Sequence, residues 1–308
     1  MRLGALTILA LLASAASVGL VGCQDPPRAT GSRPATRPRK PKPAWTAERV
    51  GLLEGMRVPE SVVVDPSTGV IYISNVEAAE GDYWADDGKG FIARVLPNGT
   101  LDVLRWKSGT ETHRLSGPRG MCVYGGALYV ADNTRVCRIA LDAAGAEGLV
   151  GGLRGRRLND VATDGVAVYV SDTGAGKIHR IDGPVIRQLK APEGVNGIAF
   201  HRDKMYAVSW TLHDAFEIDP TGQAEPAPFG LAGHFKALDG IEVLDDGTFI
   251  VSDFEGDRVC TISPDRKTVH TLCTAKTPAD IGLARRSGLM YVPQFTGGSV
   301  AVYKLTRR

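Results

Sequence analysis

Six segments of the chain share one pattern, and each opens on a residue whose type could do chemistry. The pattern is a polar residue, a short apolar stretch, a Gly- or Asp-rich turn and a second stretch of β-branched and aromatic residues. In chain order the opening positions, called here the polar column, are Glu60, Arg119, Asn159, Asn196, Asp239 and Ala279, with Asp280 directly after the last. Two carboxylates and two amides that face one axis would form a hard-oxygen site of the kind that suits Ca²⁺, Mg²⁺ or Mn²⁺.

Turn formation is the alternative explanation for the polar column. Asx residues before a strand often cap a turn, and repeat proteins reuse such residues. A pure turn role predicts one residue type in every repeat, whereas here the types differ from segment to segment. That variation favours a non-symmetric site, and the turn role stays open as the alternative.

The spacing of the segments predicts how they are positioned. From Arg119 to Ala279 the column positions recur at intervals of 40, 37, 43 and 40 residues. Units of this length with four short strands are typical of a β-propeller blade, and no stretch shows a long amphipathic helix period. We therefore predict an all-β, six-bladed propeller over residues 45–308, whose innermost strands begin around one mouth of a central channel. The segment 48–55 is expected to complete the last blade and so close the ring with the C-terminal strands.

Several short motifs resemble the senescence marker protein (regucalcin) and gluconolactonase family over about residues 46–308. They are the Glu of "PES", the Arg and Asn of "RLND", the Asn of "NGIAF" and the Asp of "LDGIEV". The resemblance implies a six-bladed propeller with one divalent metal in its channel, Ca²⁺ as first choice and Mg²⁺, Mn²⁺ or Zn²⁺ as alternatives. Residue by residue, it implies metal ligation by Glu60, Asn196 and Asp239, substrate contacts by Arg157 and Asn159, and a second role for Asp239 as general base.

The activity implied by the resemblance is metal-dependent hydrolysis of a small lactone or related ester, with a sugar-acid-like molecule as one substrate class. Arg119 is assigned to the substrate contacts as a positive charge in the channel, and pairing with Glu60 or Asp239 is its alternative role. Family positions depart here, since "VNG" stands at 195–197 and "DTGAGKIH" follows Asn159 without an acidic partner. These departures favour a rival function, a non-catalytic propeller that presents one face to a protein or envelope partner. No G-x-S-x-G, H-E-x-x-H or C-x-x-C motif supports other hydrolase or redox chemistry.

The N-terminal residues have the pattern of a bacterial lipoprotein. A short basic start and an apolar run lead to Leu20-Val21-Gly22-Cys23, which predicts a signal peptide over 1–22 and a lipidated Cys23. Residues 23–44 are rich in Pro and Arg and predict an extended tether. We therefore expect a lipid-anchored, periplasm-facing protein of the bacterial envelope, on either the inner or the outer membrane.

The charge balance argues against nucleic acid as a partner. The chain has 36 Lys and Arg against 34 Asp and Glu, but residues 1–44 hold seven of the basic and one of the acidic residues. The predicted propeller therefore has a net charge of about −4, unlike the basic surface of a nucleic-acid-binding domain. A monomer is expected.

An insertion and four cysteines complete the sequence-based predictions. The insertion at 77–90, "EAAEGDYWADDGKG", is expected to form either a lid over the channel or a cover for a sheet edge. Cys260 and Cys273 flank a predicted hairpin turn and are candidates for a disulfide. Cys122 and Cys137 fall on the first and third strands of one blade, too far apart to be bridged, and are expected to be small buried residues.

Overall fold

The computed structural model describes residues 43–110, 114–142 and 145–308, and these form six four-stranded antiparallel sheets arranged as the blades of a propeller. The signal peptide predicted over 1–22, the lipidation site Cys23 and the tether up to residue 42 lie outside the described residues. No helix among the described residues is long and apolar enough to cross a membrane. The predicted all-β, six-bladed architecture is confirmed.

The strands of the first three blades, from the innermost outward, are β2 to β5 (Pro59–Val64, Ile71–Asn75, Phe91–Val95, Leu101–Ser108), β6 to β9 (Pro118–Tyr124, Ala127–Asp132, Arg135–Ala140, Glu147–Leu149) and β10 to β13 (Leu158–Thr163, Val168–Asp172, Lys177–Asp182, Val185–Lys190). Those of the last three are β14 to β17 (Val195–His201, Lys204–Ser209, Ala215–Ile218, Ala227–Pro228), β18 to β21 (Leu238–Val243, Phe249–Asp253, Arg258–Ile262, Val269–Thr274) and β22, β23, β24 and β1 (Gly282–Ala284, Leu289–Gln294, Ser299–Arg307, Trp45–Leu53). Two short 3₁₀ helices span Ala232–His234 and Phe295–Gly297.

The N-terminal strand closes the ring, as the sequence predicted. β1 pairs antiparallel with β24 from Trp45↔Arg307 to Leu53↔Val300, and so it is the outermost strand of the sixth blade. Joining the two ends of the domain in one sheet removes the open edge that a linear array of blades would leave.

The hydrophobic core lies between neighbouring blades rather than at the axis. Alternate residues of a strand point to opposite faces of its sheet. Ile250 accordingly packs against the sixth blade, with Met290 and Val292, while its neighbour Val251 packs towards the fourth, with Tyr206 and Val208. Because both faces of the second strand Phe249–Asp253 are covered, its first three residues form a continuous apolar run and its polar residues lie at the end of the strand.

Each innermost strand of the first five blades contains a β-bulge at the position of the polar column. In the fifth blade the pairing runs Leu238↔Asp253 and then Ile241↔Val251, so one extra residue is accommodated at Asp239-Gly240. The other four blades show the same register shift at the equivalent place. A bulge leaves a residue out of the ladder and re-aims its side chain, which explains how a strand start can present a polar group away from the packed faces.

Candidate functional site

Five members of the polar column are buried together where the innermost strands begin, an end of the channel called here the upper mouth. Their relative exposures range from 2% for Glu60 and Asn196 to 7% for Asn159. Each is the first residue of its bulge. Electrostatic interactions link Asp239 with both Glu60 and Arg119, which places the three side chains in one shared space.

Glycine at the second bulge position lets neighbouring blades approach closely. A Cβ atom on Gly197 would lie 2.5 Å from the carbonyl oxygen of Asp239, and one on Gly240 would lie 2.7 Å from Oδ1 of Asp280. Both distances are shorter than real side chains tolerate, so these positions need glycine for space. The close approach is what brings column residues of adjacent blades near the same axis.

Turn formation is performed by another set of aspartates, at the end of the second strand of several blades. Oδ1 of Asp253 accepts the backbone N–H groups of Lys236 and Ala237 at 2.9 and 3.2 Å. Asp132 and Asp172 make equivalent bonds in the second and third blades. These repeated residues fix the loops that lead into the innermost strands, so the column residues are not needed for that purpose.

Three oxygens of the column are buried without a hydrogen-bond partner among the described residues. They are Oε2 of Glu60, Oδ1 of Asn196 and Oδ1 of Asp239. Buried polar atoms are nearly always paired, because an unpaired one loses its hydration without compensation. Two carboxylate oxygens and one amide oxygen form a donor set that fits a hard divalent cation. No cluster of three or more His, Cys, Asp or Glu in the described part of the chain could hold a metal, and this set differs in including an amide.

Burial raises the pKa values of four carboxyl groups in the channel. It raises the pKa of Asp239 to about 7 against the attraction of Arg119, and the pKa of Glu60 well above its usual range. Burial likewise raises the pKa of Asp160 to about 6 and that of Asp280 well above normal. The raised pKa values show that burial favours the protonated form of each of these four carboxyl groups.

Arg119 is a positive charge set inside the mouth, and it bridges the column to the insertion. Its Nη1 lies 3.4 Å from Oε1 of Glu60, so of the two partners considered from the sequence it pairs with Glu60. Its Nη2 donates to the carbonyl oxygen of Tyr83 at 2.6 Å, and its guanidinium lies 3.6 Å from the ring centroid of Trp84. Nε of Arg119 is buried and has no hydrogen-bond partner within the described ranges. Desolvation outweighs the nearby acids and lowers the pKa of Arg119.

The insertion 77–90 lies against the residues of the mouth. Besides Arg119, it is held by Asn133, whose Nδ2 donates to the carbonyl oxygen of Ala85 at 2.9 Å. It is also held by Asp86, which accepts from Ser116 Oγ at 2.6 Å and from Arg135 Nη2 at 2.7 Å. The ring of Tyr83 packs edge-on against Phe295 with centroids 4.8 Å apart. Of the two roles expected for the insertion, these contacts favour a lid.

The two residues assigned to substrate from "RLND" occupy different environments. Asn159 is buried in the column, whereas Arg157 is exposed at the rim with its guanidinium 5.4 Å from the centroid of Trp84. The backbone N–H of Arg157 is held by Asp172. Trp84 thus lies close to two guanidinium groups, those of Arg119 and Arg157.

The sequence-based prediction missed one acidic residue of the channel, Asp160. We expected no acidic partner downstream of Asn159, but Asp160 follows it directly and is 5% exposed. Its Oδ2 accepts the N–H of Ile198 in the next blade at 2.6 Å, which clamps two innermost strands together. The pattern that could have revealed it is the second bulge position, occupied by Gly120, Gly197 and Gly240 in three other blades and by aspartate here.

A cavity of about 690 Å³ lies at the opposite end of the channel, where the innermost strands end. Asp160, Glu242 and Asp280 line it together with apolar residues such as Phe200 and Tyr291. Glu60, Asn196 and Asp239 do not contribute to its walls. It is therefore separate from the three unpartnered oxygens.

The predicted disulfide between Cys260 and Cys273 is wrong, because both are free thiols. A bulge in the pairing of β20 with β21 places Cys260 opposite Thr271 and Cys273 opposite Val259. As a result, the two sulfurs pack on opposite faces of the blade, in separate apolar clusters. Cys122 and Cys137 are also free, on the first and third strands of the second blade; Cys122 is buried and Cys137 half-buried.

Comparisons with known proteins identify the fold. No protein-family model matches the chain, and no curated protein matches it either. A gluconolactonase from Xanthomonas campestris is 17% identical with a TM-score of 0.63, covering 84% of this chain and 91% of its own. A luciferin-regenerating enzyme is 16% identical with a TM-score of 0.58, covering 85% of this chain and 95% of its own. The virginiamycin B lyase of Staphylococcus aureus, solved with quinupristin, is 15% identical with a TM-score of 0.57, covering 85% of this chain and all of its own. The resemblance to the regucalcin and gluconolactonase family therefore holds at the level of the fold, which in this chain is a six-bladed propeller.

Proposed function

We propose that this protein is a divalent-metal-dependent hydrolase of a small lactone or related ester, with its active site at the upper mouth of the channel. The observation that supports it best is the set of three buried, unpartnered oxygens from Glu60, Asn196 and Asp239. Building such a set costs stability unless a ligand satisfies it, and Ca²⁺, Mg²⁺, Mn²⁺ or Zn²⁺ would do so. The fold shared with a gluconolactonase and a lyase is compatible with this activity.

In the proposed reaction Asp239 acts on a water molecule. Its carboxylate accepts a proton from that water as the water oxygen bonds to the lactone carbonyl carbon. The bond from this carbon to the ring oxygen breaks, and the ring oxygen takes the proton, which yields one hydroxy acid. A metal ion held by the three oxygens would supply Lewis-acid polarisation of the carbonyl.

The remaining residues of the mouth orient and enclose the substrate. Asn159 and Arg157 present an amide and a guanidinium, which suit carbonyl and carboxylate oxygens. Arg119 places a second guanidinium next to the column, and the insertion over it excludes water. Substrate entry requires the bond from Arg119 to Tyr83 to open, which makes the insertion the moving part.

Calorimetric titration of the full chain with each of the four cations tests the proposal. Wild-type protein is expected to bind at least one, the Asp239→Ala variant none, and a control Asp253→Asn variant is expected to bind as the wild type does. Cation-dependent turnover of a lactone panel would then follow. If none of the four cations binds to the intact protein, the hydrolase proposal is wrong.

Binding without catalysis is the second candidate function, and the closed lid favours it. With Trp84 seated on Arg119, the upper mouth presents the insertion rather than an open pocket. A protein or envelope partner would then contact this face. Metal binding without turnover of any lactone, together with loss of a partner on deletion of residues 78–88, would support this function over hydrolysis.

Attachment to a membrane through a lipidated Cys23 is part of the same proposal. Acyl chains on this residue would hold the propeller at the surface of the bacterial envelope, facing the periplasm. Metabolic labelling with a radioactive fatty acid is expected to mark the wild type and not a Cys23→Ser variant. An unlabelled wild type would contradict it.

A further inference from the structure

Four aromatic side chains form a continuous arc on the upper face. Trp210 contacts Phe254 at a centroid distance of 5.1 Å, Phe254 contacts Phe295 at 5.5 Å, and Phe295 contacts Tyr83 at 4.8 Å. They come from the loops after the second strands of the fourth, fifth, sixth and first blades. Phe295 is buried and the other three are half-buried. We call this set the aromatic arc.

Backbone hydrogen bonds fix the arc next to the polar column. The N–H groups of Trp210, Phe254 and Phe295 donate to the carbonyl oxygens of residues 194, 237 and 277, at 2.9, 2.8 and 3.0 Å. In every case the acceptor stands two residues before the column position of the same blade. The arc therefore borders the blades that supply Asn196, Asp239 and Glu60.

The position that makes this backbone bond is Val76 in the first blade, where Tyr83 lies further along in the insertion, and it is polar in the second and third blades. Thr173 makes the same backbone bond in the third blade, to Arg157, and Asn133 follows the second strand of the second blade. Arg119 and Arg157 stand in this half, and both guanidinium groups lie close to the Trp84 ring. The mouth thus has an apolar half beside the three unpartnered oxygens and a cationic half facing it.

We propose that the mouth selects a lactone or ester with a flat apolar body, an aryl ring above all, rather than a polyhydroxylated sugar lactone; this inference rests on the proposed hydrolase function. A sugar lactone has a hydroxyl group on nearly every carbon, and each needs a partner when it leaves water. The arc offers only the Tyr83 hydroxyl and the Trp210 indole N–H for that purpose. An aryl body would lie against the arc, since aromatic pairs prefer such edge-on and offset contacts, and its ester carbonyl would then lie at the three unpartnered oxygens beside the arc.

Three six-membered lactones test the inference on the full chain: dihydrocoumarin, δ-valerolactone and gluconolactone. The expected kcat/KM for dihydrocoumarin is roughly tenfold or more above the other two, after subtraction of spontaneous hydrolysis. Phe254→Ala should remove most of that preference through KM and lower kcat/KM for δ-valerolactone far less, with Phe254→Leu intermediate. Trp106→Ala, which removes an aromatic ring from an outer strand, is the control and should leave the preference intact.

Lactam analogues of the first two lactones separate this inference from the proposed function, because they bind but resist hydrolysis. One outcome is that no lactone is hydrolysed, while the aryl lactam binds in titration calorimetry at least tenfold more tightly than δ-valerolactam and Phe254→Ala abolishes the difference. In that case the proposed hydrolase function is wrong and the recognition of an aryl body stands. Equal binding of the two lactams, or a preference for gluconolactone unaffected by Phe254→Ala, would overturn the inference while the hydrolase could still stand.

Discussion

Replacing Asp239 by asparagine should make the metal-free protein more stable, which is the opposite of what most substitutions of buried residues do. The pKa of Asp239 is raised from 3.8 to about 7, chiefly by burial. A carboxyl group whose folded pKa is raised contributes fully to stability below its unfolded pKa, and that contribution is lost as the pH rises through the folded pKa. Above about pH 7 the wild type therefore holds an unfavourable buried charge that the neutral amide lacks.

The size of the effect follows from the shift. A change of roughly 3 pKa units corresponds to about 4 kcal/mol at pH 8 to 9. The N–H donors of the introduced amide must also find partners in the channel, which lowers the expected gain to about 2–4 kcal/mol. For a domain of this size, that amounts to a rise in Tm of several degrees.

Thermal unfolding at pH 8.5 in a chelator measures the stability of the metal-free protein. The same measurement with millimolar Ca²⁺ or Mn²⁺ gives the stability gained from cation binding. The wild type should gain stability with the cation in proportion to RT ln(1 + [L]/Kd), and Asp239→Asn should gain much less, since a neutral amide oxygen replaces a carboxylate. The matched control is Asp253→Asn in the same blade, where the carboxylate accepts two backbone N–H groups and pairs with Arg258 at 2.9 Å. This control should lose about 1–3 kcal/mol in either condition. If Asp239→Asn loses stability in the chelator as the control does, Asp239 is a structural residue and the reasoning fails.

Three further predictions concern the frame around the site. Gly240→Ala should destabilise the protein by about 1–3 kcal/mol because its Cβ would meet Asp280, while Gly148→Ala, with open space around it, should be neutral; denaturant unfolding of both variants would decide. Burial raises the pKa of Glu242 from 4.5 to about 7. The wild type should therefore lose more stability than Glu242→Gln as the pH rises from 4.5 to 7. Parallel curves of stability against pH for the two proteins would be evidence against this. Cys260 and Cys273 should remain free thiols, and burial raises their pKa values to about 11 and about 12. A reductant should therefore leave the Tm unchanged, and thiol reagents should label both residues only on unfolding. A Tm that falls on addition of reductant would show that a disulfide is present.

The fold could be predicted from the residues alone, because it is a repeat. Each blade needs an apolar strand buried on both faces and a turn at a fixed distance, and those needs appear as a period near 40 residues. The same period aligned the polar column and predicted that Glu60, Asn196 and Asp239 begin innermost strands at one mouth. Ring closure by β1 was also readable, since an incomplete sixth blade required a strand from the other end of the chain.

Which groups actually meet depends on the folded chain, because bulges and side-chain directions are not encoded in a period. A one-residue bulge separated Cys260 from Cys273 onto opposite faces, and bulges at the column turned its side chains into the channel. Arg119 pairs with Glu60 rather than Asp239, and it contacts Trp84, which lies 35 residues away in the chain. Both contacts depend on how the insertion folds back. The aromatic arc likewise joins single residues from four blades, whose contacts exist only once the ring has closed.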